Sequence, residues 1–413
     1  MTYVEFFDSD TVKNILSCLT GKPDRVILVG KDLKPLQKNA LKYQEFFLKK
    51  GAEIEFLCVA VNKNDLDDNI AKISQIIQNY DDCIFDITGG DEISVLALGI
   101  VYERFKAEKN IQIHQFNMNT NAVSDCDNDG IVIGENNMPK LSVEELIFLR
   151  GGKVVYEDEC FGGTHRWNID DEFIDDIKNM WEICRNNVRL WNSHANVLNN
   201  IEARRLRTAS DDLLTVTPVS YVNEYIRKQG GNFLFDFSIM KSLYNFDIIK
   251  EYKIDDSEIV IRYKNEQIKR CLTKAGLVLE MIVYVTALGL KDVYNDAMNG
   301  VCIDWDGIIE EYATNKDSKN EIDVIMMKGI VPVFVSCKNG GVDVEELYKF
   351  NSVTERFGGK NARKILIATS LGEDVRSEYF RRRAKDMKIR LIEDIQNLSP
   401  DKLAKKIQNF SNN

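Results

Sequence analysis

Residues 320–340, NEIDVIMMKGIVPVFVSCKNG, bring an acid and a base into a pattern that can act on a phosphodiester. The apolar run Ile322–Met327 carries Asp323 near its start, and the run Val331–Val335 leads into Ser336-Cys337-Lys338. Between them Lys328-Gly329 predicts a tight turn, and so an antiparallel hairpin. Such a hairpin returns Lys338 to the end of the sheet where Asp323 lies. A carboxylate there can hold Mg²⁺ or Mn²⁺ while an ammonium orients water or stabilises developing charge, as metal-assisted cleavage requires. The same residues also suit a surface hairpin with an ordinary acid and base at its ends. The pattern alone leaves both readings open.

The elements needed to position this pair follow from the surrounding chain. Leu272–Leu290 reads as one apolar helix with Glu280 in its middle. A lone carboxylate among buried side chains is costly unless it is paired or binds a metal, although a helix edge facing solvent would also accommodate it. After it come a strand at Val301–Trp305, the hairpin, a helix at Val344–Phe357, a strand at Lys364–Ala368, a helix at Val375–Met387 and a strand at Arg390–Glu393. The order is α-β-β-β-α-β-α-β. Cys337 has no histidine near it in sequence, so a buried strand-end thiol is expected rather than a nucleophile.

The amino-terminal 117 residues alternate strand and helix. Strands are expected at Tyr3–Phe7, Arg25–Gly30, Glu53–Val61, Cys83–Ile87 and Ile111–Asn117, with helices at Thr11–Leu19, Leu36–Lys50, Asp65–Tyr80 and Glu92–Phe105. The strands are apolar without alternation, which predicts a doubly wound parallel sheet covered on both faces. Ligands of such sheets bind beyond the carboxyl ends of the strands. No GxGxxG fingerprint follows any strand, so NAD, FAD and P-loop nucleotides are poor candidates. Three strand ends carry polar or glycine-rich loops instead: Asp8-Ser9-Asp10, Gly30-Lys31-Asp32 and Thr88-Gly89-Gly90-Asp91-Glu92. Gly89 and Gly90 allow close backbone approach to a ligand, or a simple strand–helix turn capped by Asp91. The acids Asp91 and Glu92 favour a ligand of low charge density over a free triphosphate.

Ala122–Asp127 and Gly130–Gly134 suggest a hairpin turning on Asn128-Asp129, followed by a helix from Ser142. Asp170–Leu190 reads as a helix. Beyond it, helices at Val219–Lys228 and Phe237–Tyr244 and a β-ribbon at Ile248–Tyr263 fit a winged-helix-like connector.

Composition bounds the remaining choices. A chain of 413 residues with 44% hydrophobic and 29% charged residues is that of a globular protein of two or three domains. No apolar run reaches membrane-spanning length, and the acidic start MTYVEFFDSD lacks the basic flank of a signal peptide. Nine cysteines without a CxxC pair, and three histidines, exclude the common zinc spacings and a disulfide framework, and point to a reducing cytoplasm. The net charge of −11 argues against general nucleic-acid coating. From Glu266 onward, however, 23 Lys/Arg face 22 Asp/Glu, a net of +1 that leaves −12 on the preceding residues. The cluster Arg376, Arg381, Arg382, Arg383, Lys385, Lys388 and Arg390 is either a solvated helix face or a place for phosphates.

The stretches TYVEFFDSD, RVILVGKDLKPLQ and CIFDITGGDEISVLALG resemble the CRISPR-associated Rossmann-fold (CARF) sensor domain. That resemblance implies a homodimer that binds a cyclic oligoadenylate at Ser9, Asp10, Gly30, Lys31, Thr88, Gly89 and Gly90. Many CARF domains have Thr-Lys after the paired glycines, where this chain has Asp91-Glu92. The carboxy-terminal order of elements is similar to the restriction-endonuclease-like PD-(D/E)xK nucleases, with Glu280 on the first helix, Asp323 on the second core strand and Lys338 on the third. NEIDV and SCKNG resemble those of nucleases linked to CARF domains. Ser336 stands where the family usually has its second acid. The resemblance therefore assigns the metal shell to Asp323, Glu280 and the Cys337 carbonyl.

Together these resemblances imply an α/β protein of three parts. They are a CARF sensor over residues 1–150, a connector over 151–265 and a nuclease over 266–413. The implied activity is a nuclease of type III CRISPR defence, activated by cyclic tetra-adenylate and dependent on Mn²⁺ or Mg²⁺, that cleaves single-stranded DNA, RNA or both. Two other functions fit parts of the sequence. A ligand-responsive transcriptional regulator would bind DNA through the connector. Arg189 and His194 have the R-x4-H spacing of metal-independent HEPN ribonucleases, in which arginine stabilises charge and histidine serves as acid and base.

Overall fold

The computed structural model describes residues 1–411 apart from 63, 118–121, 128–129, 135–138, 206–210, 229–236, 309–318 and 341. The chain divides into two compact units, Met1–Lys153 with Trp305–Ile308, and Val154–Asp304 with Ile309–Asn413.

The first unit is built on a seven-stranded sheet. In spatial order its strands are Glu55–Ala60, Arg25–Gly30, Thr2–Phe6, Asp82–Asp86, Asn110–Asn117, Ala122–Asp125 and Gly130–Ile133. The first five run parallel and the last two antiparallel. Thr2–Phe6 is buried along its whole length, and Cys83–Asp86 likewise. That is why these strands read as apolar runs without a polar face. The expected hairpin after residue 121 forms by antiparallel pairing, while its Asn128-Asp129 turn lies outside the described residues. The helix expected from Ser142 covers Val143–Leu149 and opens on a capping box between Ser142 and Glu145. Helix Thr11–Leu19 is instead a 3₁₀ turn, Lys13–Ile15, followed by the α-helix Leu16–Gly21.

In the second unit, helix Val188–Ala203, strand Leu214–Pro218, helices Val219–Lys228 and Phe237–Asn245, and strands Ile249–Ile254 and Glu258–Tyr263 follow in order. Strand Glu258–Tyr263 lies between the other two, antiparallel to both, which is the winged-helix arrangement. Asp170–Leu190 is not one helix: Asp171–Asn186 and Val188–Ala203 meet at Asn187, whose side chain caps the second by accepting from the Leu190 N–H at 3.0 Å.

The larger sheet has the spatial order Ile389–Ile392, Arg363–Ala368, Val331–Lys338, Lys319–Lys328, Asp296–Asp304, with the two-residue strand Lys153–Val154 at its edge. Its hairpin is antiparallel, Val324 facing Val335 and Lys328 facing Val331, and Gly329 turns with φ of 62°. Val331–Lys338, Arg363–Ala368 and Ile389–Ile392 are parallel, as crossovers through helices Val344–Gly358 and Val375–Asp386 require. The α-β-β-β-α-β-α-β order is therefore present.

A third expectation is corrected. Leu272–Leu290 is broken into helices Glu266–Thr273 and Leu277–Gly289, because Gly276 takes φ of 89°, a conformation a helix interior does not allow. A single apolar cluster runs from Phe173 and Trp181 through Ile239, Leu243 and Ile261 of the winged helix to Met281, Val324, Val335 and Ile367. Connector and nuclease elements thus share one core. Among the described residues, no helix is long and apolar enough to cross a membrane.

Candidate active site

Asp323 sits where the hairpin ladder ends. Val324–Val335 is the last pair of that ladder, so the chain beyond it is free to bond by side chain. The Asp323 Oδ2 accepts the Cys337 N–H at 2.6 Å and the Ser336 hydroxyl at 3.2 Å. In a strand the N–H and C=O of one residue face the same neighbour. The Cys337 carbonyl therefore faces the same gap as its N–H. Burial raises the Asp323 pKa, partly offset by the Cys337 N–H and by the charge of Lys338.

Glu280 lies in the first turn of helix Leu277–Gly289 and is only 7% exposed. It is buried and does not occupy a solvent-facing helix edge. Burial and the nearby Asp323 push its pKa up to about 8, with Lys274 and a hydrogen bond from Asn299 acting in the opposite direction. Its Oε2 is buried without a hydrogen-bond partner. Two carboxylates that disfavour each other's charge, one with an orphaned oxygen, fit a hard divalent cation. Among the described residues no cluster of three His, Cys, Asp or Glu side chains is gathered. Mg²⁺ commonly takes one or two carboxylates and completes its octahedron with waters and substrate phosphate, so the donor set remains suitable.

Lys338 extends from the end of its strand and its Nζ lies 2.7 Å from Glu346 Oε2, on helix Val344–Gly358. Burial alone would lower its pKa, yet Glu346 and Asp323 outweigh it and hold the ammonium charged. Lys338 is thus a source of positive charge and not a base at neutral pH. The Cys337 thiol is pushed well up by burial and by Asp323 and Glu280, so it stays protonated and unreactive.

Asp323, Ser336, Lys338, Glu346, Lys349 and Phe350 are among the residues lining an open cleft of about 200 Å³. Ser336 cannot supply a second carboxylate. Its hydroxyl instead steadies the first.

Several residues at this site were not singled out from sequence. Asn299 donates to the Asp323 carbonyl at 3.0 Å and accepts from the Trp167 indole N–H at 3.1 Å. An indole N–H only donates, so Asn299 must turn its oxygen to Trp167 and its NH₂ to the acids. Lys274 reaches Glu321 at 3.0 Å beside the same acids. Asn299 lies outside the strand expected at Val301–Trp305, which in the structure begins at Asp296, so nothing in the sequence marked it. Nothing marked Glu346 either.

Arg189 and His194 share helix Val188–Ala203, but Arg189 is exposed whereas His194 is buried. Five residues are about 140° around a helix, so the two side chains leave it on different faces. The structure does not bring them together.

In the first unit, Ser9, Asp10, Gly30, Lys31, Asp32, Thr88, Gly89, Gly90, Asp91 and Glu92 all follow the carboxyl ends of three adjacent strands. Several are already engaged. Asp10 pairs with Arg150 at 2.7 Å, Thr88 Oγ1 accepts the Phe116 N–H at 2.7 Å, and Asp91 caps helix Glu92–Phe105 by accepting from Ser94. A Cβ on Gly89 would meet the Phe6 carbonyl oxygen at 2.5 Å, and one on Gly90 the Phe6 Cβ at 2.5 Å. The glycine pair is thus demanded by packing against the first strand, whatever else it meets. Ser9, Lys31, Asp32 and Glu92 remain exposed.

The sequence of residues 265–411 matches the family described as Card1-like, endonuclease domain. No match was found among curated proteins. Protein VC1899 from Vibrio cholerae has a similar fold, with a TM-score of 0.74 and 15% identity over 99% of this chain and 97% of that one. Can2 from Sulfobacillus thermosulfidooxidans, solved in complex with cyclic tetra-adenylate, is similar with a TM-score of 0.66 and 16% identity over 100% of this chain and 99% of that one. Residues 265–411 therefore match a Card1-like endonuclease domain, carried on a chain with the fold seen in VC1899 and Can2.

Proposed function

We propose that the chain is a nuclease of type III CRISPR defence that is switched on by cyclic tetra-adenylate and cleaves single-stranded DNA, RNA or both with Mn²⁺ or Mg²⁺. The observation that supports the catalytic half is Asp323 at the open end of the hairpin, lining one cleft with Lys338 and near enough to the buried Glu280 to disfavour its charge. Asp323, Glu280 and the Cys337 carbonyl would hold the cation. When bound, it supplies a Lewis acid for the scissile phosphate and lowers the pKa of an attacking water.

The remaining steps belong to the chain's own residues. Ser336 and the Cys337 N–H fix Asp323, so the carboxylate is oriented before substrate arrives. Asn299 keeps Glu280 and the Asp323 backbone in register. Lys338, held charged by Glu346, stabilises negative charge on the phosphoryl oxygens as the water oxygen bonds to phosphorus and the leaving oxygen departs with a proton. Removing a supporting partner of this kind costs about 10–100-fold in metal affinity or activity. Asn299→Ala is expected to show that loss when cleavage is titrated with Mn²⁺, with part of it recovered at high Mn²⁺.

Two features support the sensing half: the three adjacent strand-end loops with exposed Ser9 and Lys31, and the fold shared with a protein solved with cyclic tetra-adenylate. In this reading two copies of the chain enclose the ring. The winged helix gives less support to a DNA-binding regulator. Its hairpin tip, Asp255-Asp256-Ser257-Glu258, carries three acids that would repel a phosphate backbone. The deciding assay supplies labelled single-stranded DNA and RNA with cyclic oligoadenylates of different ring size. Cleavage should need both cyclic tetra-adenylate and Mn²⁺ and should stop with EDTA. Activity that persists in EDTA would remove the metal-site reading.

A further inference from the structure

We propose that Asn192, on the connector helix Val188–Ala203, is a positioning residue for Lys338 and acts through Asn339. The inference deepens the nuclease reading above and rests on it.

Lys338 ends its strand with ladder support on one side. The hairpin ladder stops at Val324–Val335. Beyond it, Ser336, Cys337 and Lys338 face Leu366, Ile367 and Ala368 of the parallel strand Arg363–Ala368, and the Lys338 carbonyl accepts the Thr369 N–H at 3.1 Å. The chain then turns through Asn339 and Gly340, the latter with φ of 132°. A strand end held along one edge needs a second anchor if its side chain is to be placed to within a fraction of an ångström.

The connector supplies that anchor. The Asn192 side-chain NH₂ donates to the Asn339 backbone carbonyl, and the Asn339 side-chain NH₂ donates to Asn192 Oδ1 at 2.7 Å. A backbone carbonyl only accepts, so Asn192 must turn its NH₂ to it and its oxygen to Asn339, which fixes both amides. The Asn339 NH₂ also lies 3.8 Å from Cys184 Sγ on helix Asp171–Asn186. The residue after the lysine is thus gripped near Asn187, where the two connector helices meet. The remaining Asn339 oxygen is buried without a hydrogen-bond partner. Such an orphaned acceptor is costly, which sets this pair apart from ordinary packing of a helix against a turn.

Lys338 is therefore located from both ends, its backbone by Asn192 through Asn339 and its ammonium by Glu346 at 2.7 Å. Asn192 also lies within the segment Arg189–His194. Arg189 and His194 do not meet, and the residue between them is the one that reaches the catalytic strand.

The test uses the full chain with cyclic tetra-adenylate, Mn²⁺ and labelled single-stranded DNA and RNA. Asn192→Ala is expected to lower kcat by about 10–100-fold, with KM and the Mn²⁺ requirement unchanged, because the ammonium acts on charge that develops in the transition state. Asn192→Asp keeps the size but loses the donor to the Asn339 carbonyl; it should lose kcat in the same way and serves should alanine fail to fold. Adding Asn339→Ala to Asn192→Ala should cost nothing more, since both break one contact. Ser193→Ala, an exposed neighbour on the same helix, should retain full activity. The decisive measurement is made in Lys338→Ala, where Asn192→Ala should bring no further loss because no ammonium is left to place. Losses that multiply in that background overturn the positioning role, as does unchanged cleavage in both Asn192 variants. A rise in KM or in the Mn²⁺ requirement in place of the kcat loss overturns it too. A wild-type chain that cuts neither probe removes the nuclease reading and the positioning role with it, whereas independent losses in a chain that cuts remove the positioning role alone.

Discussion

Asp323→Ala is expected to lower cleavage by about 10²–10³-fold while leaving the fold intact. The estimate follows from the loss of a preorganised charged group, worth roughly 3–4 kcal/mol at the transition state. Asp323 lies beyond the last hairpin pair, so alanine removes two hydrogen bonds but no core contact. A melting temperature within a few degrees of the parent would establish that the loss is chemical. Lys338→Ala should be comparable in rate, because it removes the ammonium that Glu346 holds at the cleft. Retention of more than about a tenth of the activity in Asp323→Ala would place catalysis elsewhere.

A steep dependence on pH is the second large effect. Glu280, with its pKa pushed up to about 8 by burial and Asp323, is protonated at pH 6 in the cation-free protein. A cation must displace that proton, so at limiting Mn²⁺ the cleavage rate should rise about tenfold per pH unit between 6 and 8 and then level off. The sign for stability is opposite. A carboxyl whose folded pKa exceeds its unfolded value stabilises the fold below about pH 4.5 and loses that contribution as pH rises through about 8. Glu280→Gln should therefore stabilise the protein in EDTA at pH 8.5, on the order of 2 kcal/mol or roughly 5 °C, but hardly at pH 5. A flat rate profile at limiting Mn²⁺ would exclude Glu280 from the metal shell.

The shared core of winged helix and nuclease bears on how such a site is controlled. Trp167 donates to Asn299, and Asn299 donates to the Asp323 carbonyl. Apolar contact is continuous from Ile261 to Val335. A rearrangement in the connector is thereby linked to the acids through buried contacts.

How much was legible beforehand differs by element. The hairpin was evident because two apolar runs flank Lys328-Gly329, and strand register follows from turn and alternation. That local pattern already carried Asp323 to Ser336, Cys337 and Lys338. The parallel sheet of the first unit was equally evident, since strands buried on both faces cannot contain polar alternation. The break at Gly276 was hidden within an apolar stretch, where periodicity continues through a single glycine.

The burial of Glu280, its orphaned oxygen, the turn of Asn299 toward the acids and the contact of Glu346 with Lys338 belong to the tertiary structure alone. Each depends on how a helix docks on the sheet, and many sequences of the same pattern dock differently. Sequence determined which chemical groups this protein has and the strand on which two of them meet. Packing decided which carboxylate lost its water.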